Sequence, residues 1–523
     1  MNLPHPARAA LVAAFAAFAA SPAFADDAEL KAQVETLRAA IAEQKAQLEA
    51  QARLLEAQQK QLEALTAQLG EAKPPPPDAP KVALNNNRPV ITSSDGRSSI
   101  AFRSNVQIDG ALYGESPAGP LATDFRRGSV GGTPNRENTA ARDFDDGFVV
   151  RRARFGVEGT IAKDFNYKLL AELGGSGTEG PAKINDAWIS YSGFAPFTVQ
   201  LGAFAPPANM DDSTSAEDIL FLERASSAEL SRSLAAADGR LGVAVKANGA
   251  RWMGSLAFTT RTVNDTEVFD AQAAAVGRVG FLVAKGDGYN VHLGASGTYV
   301  FSLADQGEGT SPRHPVRFRD RAEVRVDGVR LIDTGSIDAD HVSVLGAELA
   351  ANWKSFYLQG EHFWYDVTRP ASVTLADPSF TGYYLQGSWL LTGENRRYNM
   401  ATGAFQGPRV KNPVSSAGGF GAFELAARYS RMNLDFEEGL EGAAAPAGAV
   451  RGGDQEVWTL GVNWFPNPNV KVMLNYILID VDRLNPAGPG NPSPFGPEPN
   501  TPPIGVQIGQ DLDVVALRTQ FSF

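Results

Sequence analysis

The segment Asp513-Val514-Val515-Ala516-Leu517-Arg518-Thr519-Gln520-Phe521-Ser522-Phe523 alternates without a break. Val515, Leu517, Thr519, Phe521 and Phe523 share one face, and Ala516, Arg518, Gln520 and Ser522 share the other. A period of two belongs to a β-strand. An apolar face backed by a polar one suits lipid on one side and water on the other. Lipid cannot satisfy an open sheet edge, so such a strand implies a closed barrel. Arg518, on the polar face, is expected to line the lumen.

The same logic extends upstream. Trp458, Leu460, Val462 and Trp464 share a face, as do Val470, Val472, Leu474 and Tyr476 after the Pro466-Asn467-Pro468 turn. These sets are expected to face lipid, with Trp464 and Tyr476 at the interface. Sixteen period-two segments, from 98–112 to 511–523, are separated by Gly, Pro, Asn and Asp. Their connections alternate tight turns, such as 162–163 and 195–196, with long links at 113–146, 205–238, 303–340, 434–454 and 482–510. Long links on one rim and short turns on the other are the barrel pattern. One link, 392–419, is long where a tight turn is expected.

The N-terminal part reads differently. Arg8, the apolar run Ala9–Ala20 and Ala23-Phe24-Ala25 form a cleavable secretory leader over 1–25. Over 26–70 the residues Leu30, Val34, Leu37, Ile41, Gln44, Leu48, Gln51, Leu55, Gln58, Leu62, Leu65 and Leu69 keep steps of four and three. That heptad predicts a periplasmic α-helical coiled coil, with Gln layers at three d positions. A stiff Pro-rich linker, 71–97, carries Pro74–Pro77 and leads to the barrel at 98–523. The expected fold is therefore all-β: a 16-stranded antiparallel transmembrane barrel preceded by the coiled coil.

Composition narrows the function. The net charge of -12 argues against a nucleic-acid partner. No spacing of His, Asp and Glu suggests a metal site, and no nucleophile motif suggests catalysis, so neither an enzyme nor a cofactor is expected. The informative charges sit on strands. Arg152, Arg154 and Glu158 share a face, and a lipid-facing Arg near the midplane costs about 2–4 kcal/mol, so that face is expected in the lumen. Arg151 then falls on the outer face unless a rim, a bulge or a subunit contact intervenes. The arginines read either as an anion-attracting wall or as members of internal salt bridges such as Arg154 with Glu158. The link 205–238 is the third long loop by hairpin count, and it carries Asp211, Asp212, Glu217, Asp218, Glu223 and Glu229 against Arg224 and Arg232.

Several stretches resemble the phosphate-selective porin O and P family. They are Arg151-Arg152-Ala153-Arg154-Phe155-Gly156-Val157-Glu158-Gly159, Asn185-Asp186-Ala187-Trp188, Phe221-Leu222-Glu223-Arg224, Leu391-Thr392-Gly393-Glu394-Asn395-Arg396-Arg397-Tyr398 and Gly461-Val462-Asn463-Trp464-Phe465. A terminal strand ending in Phe is likewise similar to outer-membrane proteins. The resemblance implies a homotrimer in outer-membrane lipid, with a third-loop constriction at 205–238 and passage of small inorganic or organic ions. It also implies an anion-binding eyelet, onto which Arg151, Arg152, Asp186, Ser215 and Arg224 map, with Arg154 beside them. Asn105 stands where the pattern has an arginine, and Asp212 and Glu217 stand where it has lysines. Anions in place of cations at a constriction predict weaker phosphate binding.

The reading is a trimeric outer-membrane porin for passive diffusion of small charged solutes, phosphate or other anions among them. The alternative is an envelope tether, in which the coiled coil reaches peptidoglycan.

Overall fold

The computed structural model describes residues 27–70, 79–85, 87–115, 144–175, 182–265, 269–486 and 504–523. The expected leader, 1–25, and the run Pro74–Pro77 lie outside the described residues. The chain divides into two compact units, Met1–Ala79 and Pro80–Phe523.

The described residues 27–70 of the first unit form a helix, α1 (Asp27–Gly70). Its 44 residues give a rod about 66 Å long. The heptad residues Val34, Ile41, Leu48 and Leu55 are exposed along the single chain, and Glu56 and Lys60 pair at 3.1 Å on the flank.

The second unit begins with a hairpin, β1 (Lys81–Asn85) and β2 (Arg88–Thr92). This corrects the 71–97 linker expectation: residues 81–92 belong to the sheet. The reason lies at the edge of β3 (Ser99–Glu115). The closing strand stops opposite Asn105, so the first residues of β3 would be an unpaired edge, which β2 fills through Val90↔Ala101 to Thr92↔Ser99. Arg88 and Asn87 fasten the hairpin to Glu158 and Asn469, each at 2.7 Å.

The barrel continues through β4 (Gly147–Ile161), β5 (Phe165–Glu172), β6 (Lys183–Phe194), β7 (Phe197–Phe204), β8 (Arg240–Asn248), β9 (Trp252–Thr262), β10 (Ala273–Gly286) and β11 (Tyr289–Ser302). The next link carries four two-residue strands, β12 (Pro315–Val316), β13 (Arg319–Asp320), β14 (Ile332–Asp333) and β15 (Ile337–Asp338). After β16 (His341–Trp353), β17 (Phe356–Thr368) and β18 (Ser379–Leu390) comes a short hairpin, β19 (Arg396–Asn399) and β20 (Ala404–Pro408). The wall ends with β21 (Ala422–Phe436), β22 (Val450–Asn467), β23 (Val470–Asp482) and β24 (Gln510–Ser522). β24 pairs antiparallel with β3 from Leu512↔Glu115 to Ser522↔Asn105, which closes sixteen strands into a barrel.

Alternation decides the faces. On β24, Val515, Leu517 and Phe521 are 41–45% exposed, whereas Ala516 and Arg518 are fully buried inside. Trp458, Leu460, Val462, Leu474 and Tyr476 likewise point outward. Outward aromatics stack in two belts, Trp353–Phe356–Trp389 with Phe423–Trp464 at the tight-turn rim and Tyr429–Trp458 toward the other. Such girdles mark the two membrane interfaces.

The lumen is largely filled. The segment 205–239 folds inward and carries the helices α2 (Met210–Ser213) and α3 (Ser226–Ala235). Leu222, Leu230 and Leu234 from it meet Val316, Phe318, Val324 and Ile332 of the 303–340 link against Val342, Phe363, Tyr365 and Phe380 of the wall. From the tight-turn rim, β19 and β20 also enter the lumen, which accounts for the anomalous length of 392–419. Arg396 forks onto Glu424 at 2.7 and 2.8 Å, Tyr398 meets His292 at 2.7 Å, and Arg278 donates to the Thr402 and Gly403 carbonyls at 2.6 and 2.8 Å.

Candidate functional site

The third loop is held by its backbone. Gln107 and Gln520 donate to the carbonyls of Ala216 and Glu217 at 3.1 Å, and Lys471, Asn463 and Arg428 donate to those of Ile219, Leu220 and Glu223 at 2.5, 3.0 and 2.9 Å. Arg518 donates to the Leu222 carbonyl, and the Leu222 amide donates to Asn475 Oδ1 at 2.9 Å. These donors come from the lumen faces of β3, β21, β22, β23 and β24, so the polar half of the alternation is spent on seating one peptide. Side-chain space matters at one point. A Cβ on Gly461 would stand 3.1 Å from the Phe221 ring, so the bare backbone makes room for it. At the loop's start, Glu361 accepts from the Met210 and Asp211 amides at 2.8 and 3.0 Å, and Asn209 caps α2 through the Asp212 amide at 2.7 Å.

Between the loop and β4–β9 lies a cavity of about 680 Å³. Arg151, Arg152, Arg154, Asp186, Ser215 and Arg224 all line it. Arg151 gets there through a bulge. The register with β3 slips between Gln107↔Arg152 and Ile108↔Val150, so both adjacent arginines turn inward. Arg151 grips Glu223 with Nε at 2.6 Å and Nη2 at 3.1 Å. Arg154 pairs with Glu172 and Asp238, each at 2.7 Å, rather than with Glu158, which takes Arg88 instead. Asp186 accepts from Lys168 at 2.9 Å, and Arg224 holds the Thr214 carbonyl at 2.9 Å and Asp211 at 3.2 Å. Arg152 differs. It is 8% exposed, its Nη1 donates to Gln107 Oε1 at 2.6 Å, and its Nε has no partner.

The acidic set of the loop is divided, with Asp211, Glu217 and Asp218 off the cavity lining. Asp212, Glu223 and Glu229 line it, with Asp212 paired with Arg232 at 2.6 Å. Asp211 faces Arg224, and Glu217 takes Arg103 at 3.1 Å. The Asp218 carbonyl accepts from Arg396 at 2.8 Å. Asp211, Asp212 and Glu217 are thus each paired with an arginine. Among the described residues, nine cationic side chains and seven carboxylates line the cavity. Glu172, Arg232, Asp238, Lys246 and Arg325 were not singled out as site residues by sequence. Glu172 and Lys246 sit on strands whose parity was legible, but Arg232, Asp238 and Arg325 sit in inward-folded segments that the strand pattern does not place.

Burial would raise the Glu223 carboxyl, yet the guanidiniums of Arg151 and Arg325 outweigh it and hold it well below the usual range. Asp238 is held down in the same way by Arg154 and Arg232. Asp320, in the 303–340 link, goes the other way. Burial pushes it up to about 7, with Arg325 pulling back and Glu229 adding to the rise. The docked link therefore binds a proton that the free link, with a carboxyl near 3.8, gives up between those values. Docking is strongest at or below pH about 4 and weakens as pH rises to about 7. Hydrogen exchange over 317–334 should accelerate from pH 5 to pH 7.5 beyond the intrinsic rate, and D320N should abolish the excess. An equal excess in D320N would rule Asp320 out.

A model of the family described as phosphate-selective porin O and P matches residues 127–492. A Caulobacter vibrioides protein named only as uncharacterized is 26% identical over 435 residues, 80% of this chain and 79% of its own. Porin O of Pseudomonas aeruginosa is 25% identical over 383 residues, 70% of this chain and 83% of its own. Among solved structures, OmpT, an outer membrane protein of Vibrio cholerae, aligns with a TM-score of 0.44 at 10% identity, over 82% of this chain and 98% of that one. With its closed sixteen-strand barrel and charged lumen, the chain belongs to the phosphate-selective porin O and P family and is an outer-membrane porin.

Proposed function

We propose that the chain is a passive trimeric channel for small charged solutes that favours anions, phosphate among them. The observation carrying this is Arg152, a guanidinium at the cavity with no carboxylate partner among the described residues. Lys246, also lining the cavity, supports it: among the described residues its hydrogen-bond partner is Gln200 at 2.7 Å, and it lies over the Phe204 ring. In a narrow lumen an unpaired cation concentrates anions, because screening there is weak. The family description, phosphate-selective porin O and P, agrees with anion traffic. The open heptad of α1 supports self-association of the helices, and its length supports a second role as a tether to peptidoglycan.

The test is the zero-current potential across a planar bilayer in a KCl gradient. The sign should report chloride as the more permeant ion, and added phosphate should reduce the current. Cation selectivity without block would sink the anion reading. Deleting 29–81 should leave the potential unchanged while releasing the barrel from the cell wall. Unaltered wall attachment would exclude the tether.

A further inference from the structure

Three guanidiniums converge on Glu223: Arg151 at 2.6 Å, Arg518 at 2.9 Å and Arg325 at 3.2 Å. Two of them have a second carboxylate. Arg518 forks onto Asp109 with both contacts at 2.6 Å, and Arg325 reaches Glu229 at 2.9 Å. Arg151 has Glu223 alone among the described residues. Arg151 also lines the cavity, whereas Arg518 does not. We propose that Glu223 sets the ion preference of the channel by neutralising Arg151, so that the adjacent Arg152 acts as the one open guanidinium of the pair.

The bulge is what makes this arrangement matter. It turns two consecutive arginines into the same lumen, where regular alternation would send one to lipid. Two open guanidiniums side by side would double the fixed positive charge at that level. The carboxylate of Glu223 cancels one of them. The loop has further holds besides this carboxylate. The loop's position rests on carbonyls and amides from Ala216 to Glu223, gripped by Gln107, Gln520, Lys471, Asn463, Asn475 and Arg428. Glu223 is therefore a specificity-determining residue that acts through Arg151, and E223Q removes its charge while keeping an oxygen acceptor and leaving the backbone holds in place.

The inference rests on the cavity being the conduction path, as proposed above. The experiment compares full-length wild type, E223Q, E223D and E223Q/R151Q in planar bilayers under a KCl gradient. E223Q should raise the chloride-to-potassium permeability ratio by about threefold or more, the effect of roughly one unmasked charge several ångströms from the path. Its conductance should stay within about a factor of two of wild type, since added surface charge enriches counter-ions only modestly at physiological salt. E223D should behave as wild type, and E223Q/R151Q should fall back toward it. An unchanged ratio in E223Q would overturn the proposal. So would a shift that comes with a several-fold larger conductance, or one that persists in E223Q/R151Q, because either reports a displaced loop. A cation-selective wild type would defeat the anion reading, while a threefold shift in E223Q would still uphold this one.

Discussion

Replacing Arg396 by Gln should widen the channel and make its current noisy. Arg396 and Glu424 are 2% and 0% exposed at their side chains and form a two-contact fork. Glu424 also accepts from Ser388 at 2.7 Å and Asn463 at 3.1 Å, so it stays fixed in place when Arg396 is lost. Stranding one partner of a buried pair costs about 3–5 kcal/mol. That cost falls on the inserted hairpin, because Arg396 is its first strand residue and Glu424 belongs to the wall. Arg396 also touches the third loop through the Asp218 carbonyl and lies over the Tyr357 ring at 5.4 Å. The hairpin keeps its tip contacts, Tyr398 to His292 and Arg278 to Thr402 and Gly403, so it should loosen rather than leave. Single-channel recordings should show a larger mean conductance with added flicker in R396Q. R396Q/E424Q, which strands no charge, should return to a quiet baseline. A quiet R396Q trace at wild-type conductance would show that the hairpin is held by its tip alone.

That hairpin also marks where sequence reasoning reached and where it stopped. All sixteen wall strands were legible because lipid and lumen impose a period of two on every one of them. Tight turns were legible at 162–163, 195–196 and 354, where backbone or Pro chemistry is local. The seat of 392–419 was not, because its partners, Glu424, His292 and Arg278, lie on three different strands. The hairpin at 81–92 was missed for a related reason: its role is to cover an edge created by the last strand, over 400 residues later. Parity correctly sent Arg152 and Arg154 to the lumen, and one extra residue in β4 decided Arg151. The charges of the third loop were legible as residues, and their pairing was not. Each carboxylate's effect depends on a cation that only the folded loop brings near, as Arg103 shows for Glu217 and Arg232 for Asp212.

The second large effect is expected at Arg518, on the closing strand. It stands directly opposite Asp109 in the register that joins β24 to β3. The two side chains are 0% and 1% exposed, and two contacts of 2.6 Å bind them. The pair therefore lies across the seam where the sheet closes on itself, and it is desolvated on the lumen side by the third loop. In R518Q, the buried Asp109 carboxyl would lose the cation opposite it, at a cost of about 3–5 kcal/mol. The Leu222 carbonyl would also lose its donor. A barrel has no free edge to absorb the loss, so it should appear as weaker closure of the whole sheet. The folded band on unheated SDS gels should convert to the unfolded one at a clearly lower temperature in R518Q. R518Q/D109N removes both charges and should recover most of that temperature, since two neutral partners leave no stranded ion. R518K keeps the charge without the fork and should fall between the single variant and wild type. If R518Q/D109N melts as low as R518Q, the stranded carboxylate is not the cause. The hold on Leu222 and Glu223 would then carry the stability, and Arg518 would act as a loop support instead of a seam clasp.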